Sequence, residues 1–236
     1  QRTHELLLSR RADIAVPIAS ITKLMTAMVI LDARLDMEEI ITIEEADKDI
    51  IRFSQSRLAV GSQLTRRDAI MVSLMSSDNR AAHALGRTFP TGMDGLVRAM
   101  NEKARAIGLQ NTKFAEPTGL SEGNVSSAHD LALLVDAACL YPMIRAMSTQ
   151  EEAIIRLGRR DVRFVNTNSL VRNSAWHIGL SKTGFIQDSG RCLVMQAQLA
   201  GEPIIIVLLD SAGAAYRDGD VNRIRQWLEK VMIAGK

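Results

Sequence analysis

The sequence predicts an α/β fold of the α+β kind, an antiparallel sheet flanked by helices with an all-helical lobe inserted into it. Three observations predict it. A helix that is apolar almost all round follows a strand-like stretch near the start of the chain. A long middle section then carries mostly helical signals. After Tyr141 the texture changes to five strand-like runs with hairpin-length turns between several of them, closed by one amphipathic helix. The 236 residues suit a single domain, with 1–43 and 142–236 forming an α/β lobe and 44–141 the helical lobe.

Each element has its own warrant. Leu6–Arg10 reads as a strand ahead of a turn. Ile18–Ala33 has no polar face and is expected at the centre of the molecule. Leu64–Leu74 takes Thr65 as its cap, with Asp68 three residues on. Ala81–Leu85 continues a second helix after a polar turn. Met93–Ile107 makes a third, and Gly108 stands where the left-handed residue after a helix is needed. His129-Asp130 opens a further helix, Leu131–Leu140, and Pro142 is expected to stop it.

Strands are predicted over Ile154–Arg156, Arg163–Asn166, Ile178–Phe185, Cys192–Ala200 and Ile204–Leu209. Gly158-Arg159, Asp188-Ser189-Gly190 and Gly201-Glu202-Pro203 supply short turns, which require antiparallel neighbours. In Val221–Met232 the apolar residues Val221, Ile224, Trp227, Leu228 and Val231 recur at helical spacing, so this helix should cover the sheet.

Composition excludes several classes. A net charge of +2, from 29 basic and 27 acidic residues scattered along the chain, gives no footprint for nucleic acid. Hydrophobic residues at 47% against 24% charged exclude a disordered chain. Cys139 and Cys192 have no Cys or His partner at metal-ligand spacing, and the four histidines form no ligand grouping, so no metal or cofactor is expected. The two cysteines fit one disulfide or two buried thiols. Ile14–Leu31 is apolar enough to resemble a membrane span. However, Pro17, Ser20, Thr22 and Thr26 interrupt it, and Lys23 at its middle would cost roughly 2.5–3.5 kcal/mol in a bilayer. No signal peptide stands at Gln1, so the chain reads as a mature or trimmed product.

Three short strings carry the chemistry: Ser20-Ile21-Thr22-Lys23, Ser77-Asp78-Asn79 and Lys182-Thr183-Gly184. Lys23 is the sole charge between Asp13 and Asp32, and burying it is expensive unless something uses it. Ser20, three residues earlier, shares its helix face near the helix start. Desolvation and the helix dipole lower the pKa of Lys23 towards that of a useful base, which makes Ser20 a nucleophile. A capping serine beside a snorkelling lysine is the bland alternative. Ser77 and Asn79, in a turn between helices, offer a hydroxyl to shuttle a proton and an amide to hold Lys23 or a peptide; alone, this string is more often a helix cap. Gly184 interrupts a strand, as glycine does where a ligand backbone comes close. Lys182 and Thr183 would hold a carboxylate, and the N–H of Phe185 would join that of Ser20 as an oxyanion hole. A solvated lysine on a strand is the alternative there.

Together the strings read as S-x-x-K, S-D-N and K-T-G, the signature set of penicillin-binding proteins and serine β-lactamases. The chain resembles the low-molecular-mass penicillin-binding proteins, the D-Ala-D-Ala carboxypeptidase and endopeptidase family, nearly end to end. Pro17–Thr26 is similar to that family's nucleophile helix, and Asn111–Phe114 with Pro117–Leu120 to its interlobe loop. Met75–Ala82 and Leu180–Phe185 are most similar to its periplasmic endopeptidase branch. The resemblance implies a β-lactamase/DD-peptidase-like fold and an acyl-enzyme mechanism on peptidoglycan stem peptides. It also implies covalent trapping by β-lactams and export to the periplasm. The family's first sheet strand is not found after Gln1. The carboxypeptidases' further β domain does not follow the Trp227 helix, which favours the shorter endopeptidase type.

Three other readings stay open: a D-Ala-D-Ala carboxypeptidase, a class A-like β-lactamase, and a non-catalytic peptidoglycan or β-lactam sensor on the same fold. The β-lactamase would need a deacylating glutamate. Glu116-Pro117 resembles that segment, but Gly119 and Leu120 stand where it expects Leu-Asn.

Overall fold

Helix α1, Thr22–Asp32, is buried at every position from Thr22 to Ile30, as its lack of a polar face requires. The computed structural model describes residues 1–234. Strand β1 (Val16–Pro17) and a short 3-10 turn over Ala19–Ile21 lead into α1, and β2 (Ile40–Thr42) and β3 (Gln63–Thr65) pair after it. The middle of the chain holds α2 (Arg66–Met75), α3 (Asn79–Arg87) and α4 (Gly92–Ala106), then β4 (Val125–Ser126) and α5 (Ala128–Ala138). Helix α6 (Pro142–Thr149) and a hairpin of β5 (Glu152–Leu157) and β6 (Arg160–Val165) follow. Next come β7 (His177–Ile186), β8 (Gly190–Leu199), β9 (Glu202–Ser211) and α7 (Ala214–Ala234).

Strands β7, β8 and β9 form one antiparallel sheet in that order, with β7 and β9 at its edges. The β5–β6 hairpin is a separate antiparallel pair, so the five predicted strands divide between two sheets. Strand β1 reaches across to β4, pairing Val16 with Ser126. The residues of α1 form the middle of the main apolar cluster, which takes in α2, α4, α5, α6 and the inner face of β8. Val221 and Leu228 of α7 close a second cluster with Leu193, Met195 and Ile206.

Sequence cues for the helix ends hold in detail. The Thr65 hydroxyl accepts from the N–H of Asp68 at 3.0 Å, capping α2. Helix α5 starts slightly before the His129-Asp130 expected from sequence, where Ser127 caps it by accepting from Asp130 N–H at 3.1 Å. Gly108, with φ +81°, takes the left-handed position after α4.

Three expectations need correction, and one open choice is decided. Leu6–Arg10 is not a strand: among the described residues none bonds its backbone, and a groove of about 1130 Å³ lies along it and β9, lined by Leu6, Leu8, Ile204 and Ile206. A strand exists only through its partners. Pro142 does not merely end a helix; after a turn it opens α6 at the first position, where a missing N–H costs nothing. Ala19, with φ +46°, makes the start of the predicted Ile18–Ala33 helix a separate tight turn. Cys139 and Cys192 are free thiols, the second wholly buried, so the thiol reading holds and the disulfide does not.

Candidate active site

Ser20 lies on the 3-10 turn that enters α1, and Lys23 one turn on. The Nζ of Lys23 is 2.8 Å from Ser20 Oγ, 2.8 Å from Asn79 Oδ1 and 2.6 Å from the carbonyl oxygen of Thr118. Both carbonyl-type oxygens are acceptors only. An uncharged Lys23 donates its two N–H bonds to them and turns its lone pair to the Ser20 hydroxyl. Burial pushes the ammonium down from its usual 10.5 to about 8, against the opposing pull of Glu116, Asp78 and Asp49.

Two glycines let other segments close on this turn. A Cβ at Gly184 would stand 2.8 Å from the carbonyl oxygen of Ile18 and 3.2 Å from the backbone N of Ser20. The interruption in β7 is therefore made for the protein's own nucleophile turn, and the ligand backbone expected from sequence is not needed to explain it. Gly119, with φ +83°, would place a Cβ 2.0 Å from the carbonyl oxygen of Ala19. Ser20 is wedged between β7 on one side and the 116–124 loop on the other.

The opposite wall comes from the turn between α2 and α3. Ser77 has φ +61°, the left-handed region that a non-glycine residue enters at a cost of about 1–3 kcal/mol. Asp78 fixes the turn by capping α3, accepting from Ala81 N–H at 3.0 Å and from the Ser56 hydroxyl at 2.7 Å. Asn79 donates from Nδ2 to Ser54 Oγ at 2.8 Å, which aims its Oδ1 at Lys23.

From β7, Lys182 reaches over and donates to Ser77 Oγ at 2.9 Å and to the carbonyl oxygen of Thr183 at 2.9 Å. It is buried, and desolvation first and the charge of Lys23 second hold it well below the usual lysine range. Thr183 Oγ1 lies 2.6 Å from the hydroxyl of Thr167. Phe185 is half exposed, with the Arg191 guanidinium stacked 3.9 Å from its ring centre. The eight sequence-predicted residues thus come from three distant segments, which Lys23 joins through Ser20 and Asn79, Lys182 through Ser77, and Gly184 through its close approach to Ser20. Sequence reasoning missed the carbonyl of Thr118, the close approach of Gly119, and the supports Ser54 and Thr167. Of these, only the Pro117–Leu120 string carried any signal.

The sequence model of the D-alanyl-D-alanine carboxypeptidase family, peptidase S11, matches residues 1–213. The chain belongs to that family. Among its relatives in the family, the D-alanyl-D-alanine endopeptidase of Pseudomonas aeruginosa is 46% identical over 231 residues, 97% of this chain and 74% of the relative. The D-alanyl-D-alanine endopeptidase of Escherichia coli is 41% identical over 98% of this chain and 76% of its own length. The crystal structure of the Streptomyces K15 DD-transpeptidase superposes with a TM-score of 0.87 at 26% identity, covering 94% of this chain and 90% of that one. These matches bear out the DD-peptidase-like α+β fold and a serine DD-peptidase of the S11 family.

Proposed function

We propose that this chain is a D-alanyl-D-alanine endopeptidase, cleaving D-Ala–diaminopimelate crosslinks between peptidoglycan stem peptides through an acyl-enzyme on Ser20. The observation that carries the reading is the contact of a buried, pKa-lowered Lys23 with Ser20 Oγ at 2.8 Å. The endopeptidase names of the two relatives favour a crosslink over a terminal D-Ala as the target.

Neutral Lys23 takes the Ser20 proton as Oγ attacks the D-Ala carbonyl carbon. The oxygen of that carbonyl gains the negative charge, facing the N–H groups of Ser20 and Phe185; one such donor is worth about 2.7–4 kcal/mol in other serine hydrolases. The C–N bond then breaks. Ser77, polarised by Lys182, relays the proton that the departing amine needs. Water repeats the sequence in reverse roles, releasing the D-Ala carboxylate and restoring Ser20. Lys182 donates to the Ser77 hydroxyl and to the carbonyl oxygen of Thr183, so its charge acts on a substrate carboxylate through the Ser77 hydroxyl.

Glu116 argues against the β-lactamase reading. Its carboxylate accepts from the N–H groups of Thr118 and Gly119, the Thr118 hydroxyl and Asn124 Nδ2. It staples its own loop and is committed there, so a water-activating role is left without a residue. β-Lactams would acylate Ser20 and leave slowly. An exported, periplasmic protein fits the substrate.

Chromatography of products from a crosslinked muropeptide dimer and from a pentapeptide monomer tests the reading. Conversion of the dimer to monomers at the higher kcat/KM supports it. Release of D-Ala from the pentapeptide with the dimer intact gives the carboxypeptidase instead. Penicillin binding without either cleavage gives the sensor.

A further inference from the structure

Arg52 is not explained by the chemistry above, and it ties together three segments around the cleft mouth. It lies in the loop between β2 and β3, where the Asp49 carboxylate gathers the N–H groups of Ile51, Arg52 and Ser54 at 2.8, 2.9 and 2.8 Å. Its Nε donates to the carbonyl oxygen of Leu120 at 3.0 Å and its Nη2 to Asp188 Oδ2 at 2.5 Å. Asp188 stands in the turn just past β7. The guanidinium therefore crosses from the helical lobe to the end of the strand that carries Lys182, Thr183 and Gly184.

An arginine has five N–H donors, and the described residues engage two of these. The Arg52 side chain is 28% exposed and that of Asp188 38%, so the pair is open in part to solvent. An ion pair meant only to hold two loops has no need of an open fork. Arginine with free parallel donors is suited to a second carboxylate.

The direction of a bound peptide follows from β7. Its leaving side lies towards Lys182 and Thr183, and its acyl carbonyl lies at Ser20 and Phe185. The acyl-donor arm then continues along the free edge of β7 towards Asp188. Phe185 to Asp188 is three residues, the last two in the 3-10 turn Gln187–Ser189, a span of about 7 Å. Resting on the peptidase reading above, we propose that Arg52 is a specificity residue that binds a free carboxylate on the acyl-donor arm, two to three residues before the scissile carbonyl. Its ligand is an acidic peptide, and an amidated arm is the form it rejects.

The test uses donor peptides made in two versions, with the arm's carboxylates free or converted to carboxamides. Binding is read as competition against labelling of Ser20 by fluorescent penicillin, which needs no cleavage. Turnover of the corresponding crosslinked dimers is read separately. The expected result is a preference of at least tenfold for the acid over the amide in wild type. It falls below threefold in Arg52→Gln and is partly kept in Arg52→Lys. Each ratio is internal to one preparation, so partial misfolding of a variant does not affect it. No preference in wild type, or one that survives Arg52→Gln, overturns the proposal. If neither dimer is cleaved, the endopeptidase reading falls, and the competition ratio still decides the role of Arg52.

Discussion

Lys23 and Lys182 are two buried lysines of one site, each within hydrogen-bonding distance of a different serine. Lys23 serves Ser20, Lys182 serves Ser77, and the charge of the first helps to depress the second. One site thus holds a base and an electrostatic anchor of the same residue type, separated by their partners.

Ser20→Ala removes the nucleophile and little else. Labelling by fluorescent penicillin and peptide hydrolysis should both vanish, with the thermal midpoint within about 3 °C of wild type, the size of a neutral change in a domain this long. Labelling that persists would sink the assignment of Ser20.

The base role of Lys23 fixes the pH profile of acylation. A lysine at about 8 is mostly protonated at neutral pH, so the second-order rate of Ser20 acylation should climb nearly tenfold per unit up to pH 7 and level off above pH 8. Stability runs the same way. The folded value lies below the unfolded 10.5, so Lys23 penalises the fold fully below pH 8 and the penalty disappears between 8 and 10.5. Stopped-flow acylation from pH 6 to 10 checks the first claim; a flat profile would remove Lys23 as the titrating base.

Asp47 governs acid stability. Its burial works to raise its pKa, but hydrogen bonds from His83, Arg87 and the N–H of Glu44 outweigh that and hold it at about 2. The depressed value stabilises the fold above pH 3.8 by about 2 kcal/mol, and that contribution is lost as pH falls towards 2. Asp47→Asn should lower neutral-pH stability by a similar amount in urea melts and flatten the acid limb. Parallel acid limbs for the two proteins would contradict this.

Gly184→Ala and Gly119→Ala separate catalysis from folding. At Gly184 the new methyl meets the carbonyl of Ile18 and the amide of Ser20, so acylation should slow at least tenfold while the melting temperature falls by only a few degrees. At Gly119 both the left-handed backbone and a 2.0 Å clash oppose alanine, and a loss of about 3 kcal/mol, roughly 10 °C, is expected. Calorimetry beside penicillin kinetics reads both. A Gly184→Ala enzyme acylating at the wild-type rate would show that β7 does not set the Ser20 geometry.

Much of this was legible before any coordinates. The apolar cylinder of α1 with a single lysine, the caps at Thr65 and Gly108, and the strand-like runs of β7 to β9 with their short turns depend on neighbours close in sequence, and such signals survive in a string of letters. The residues proposed for catalysis were legible for another reason: the three strings together match one family's signature. The Thr118 carbonyl was not, because a backbone acceptor has no letter of its own. Nor was the real purpose of Gly184, since a missing Cβ does not say which neighbour needs the room. Leu6–Arg10 shows the opposite error: a strand-like run whose fate depends on a partner elsewhere.

Ala19 and Ser77 both hold backbone that their side chains disfavour, one on each wall of the cleft. Changing either to glycine would relax the chain, and so would any drift that let these turns unwind. At these two turns, then, easing the backbone and loosening a serine of the site are the same event, and heat resistance gained there would be lost from reactivity.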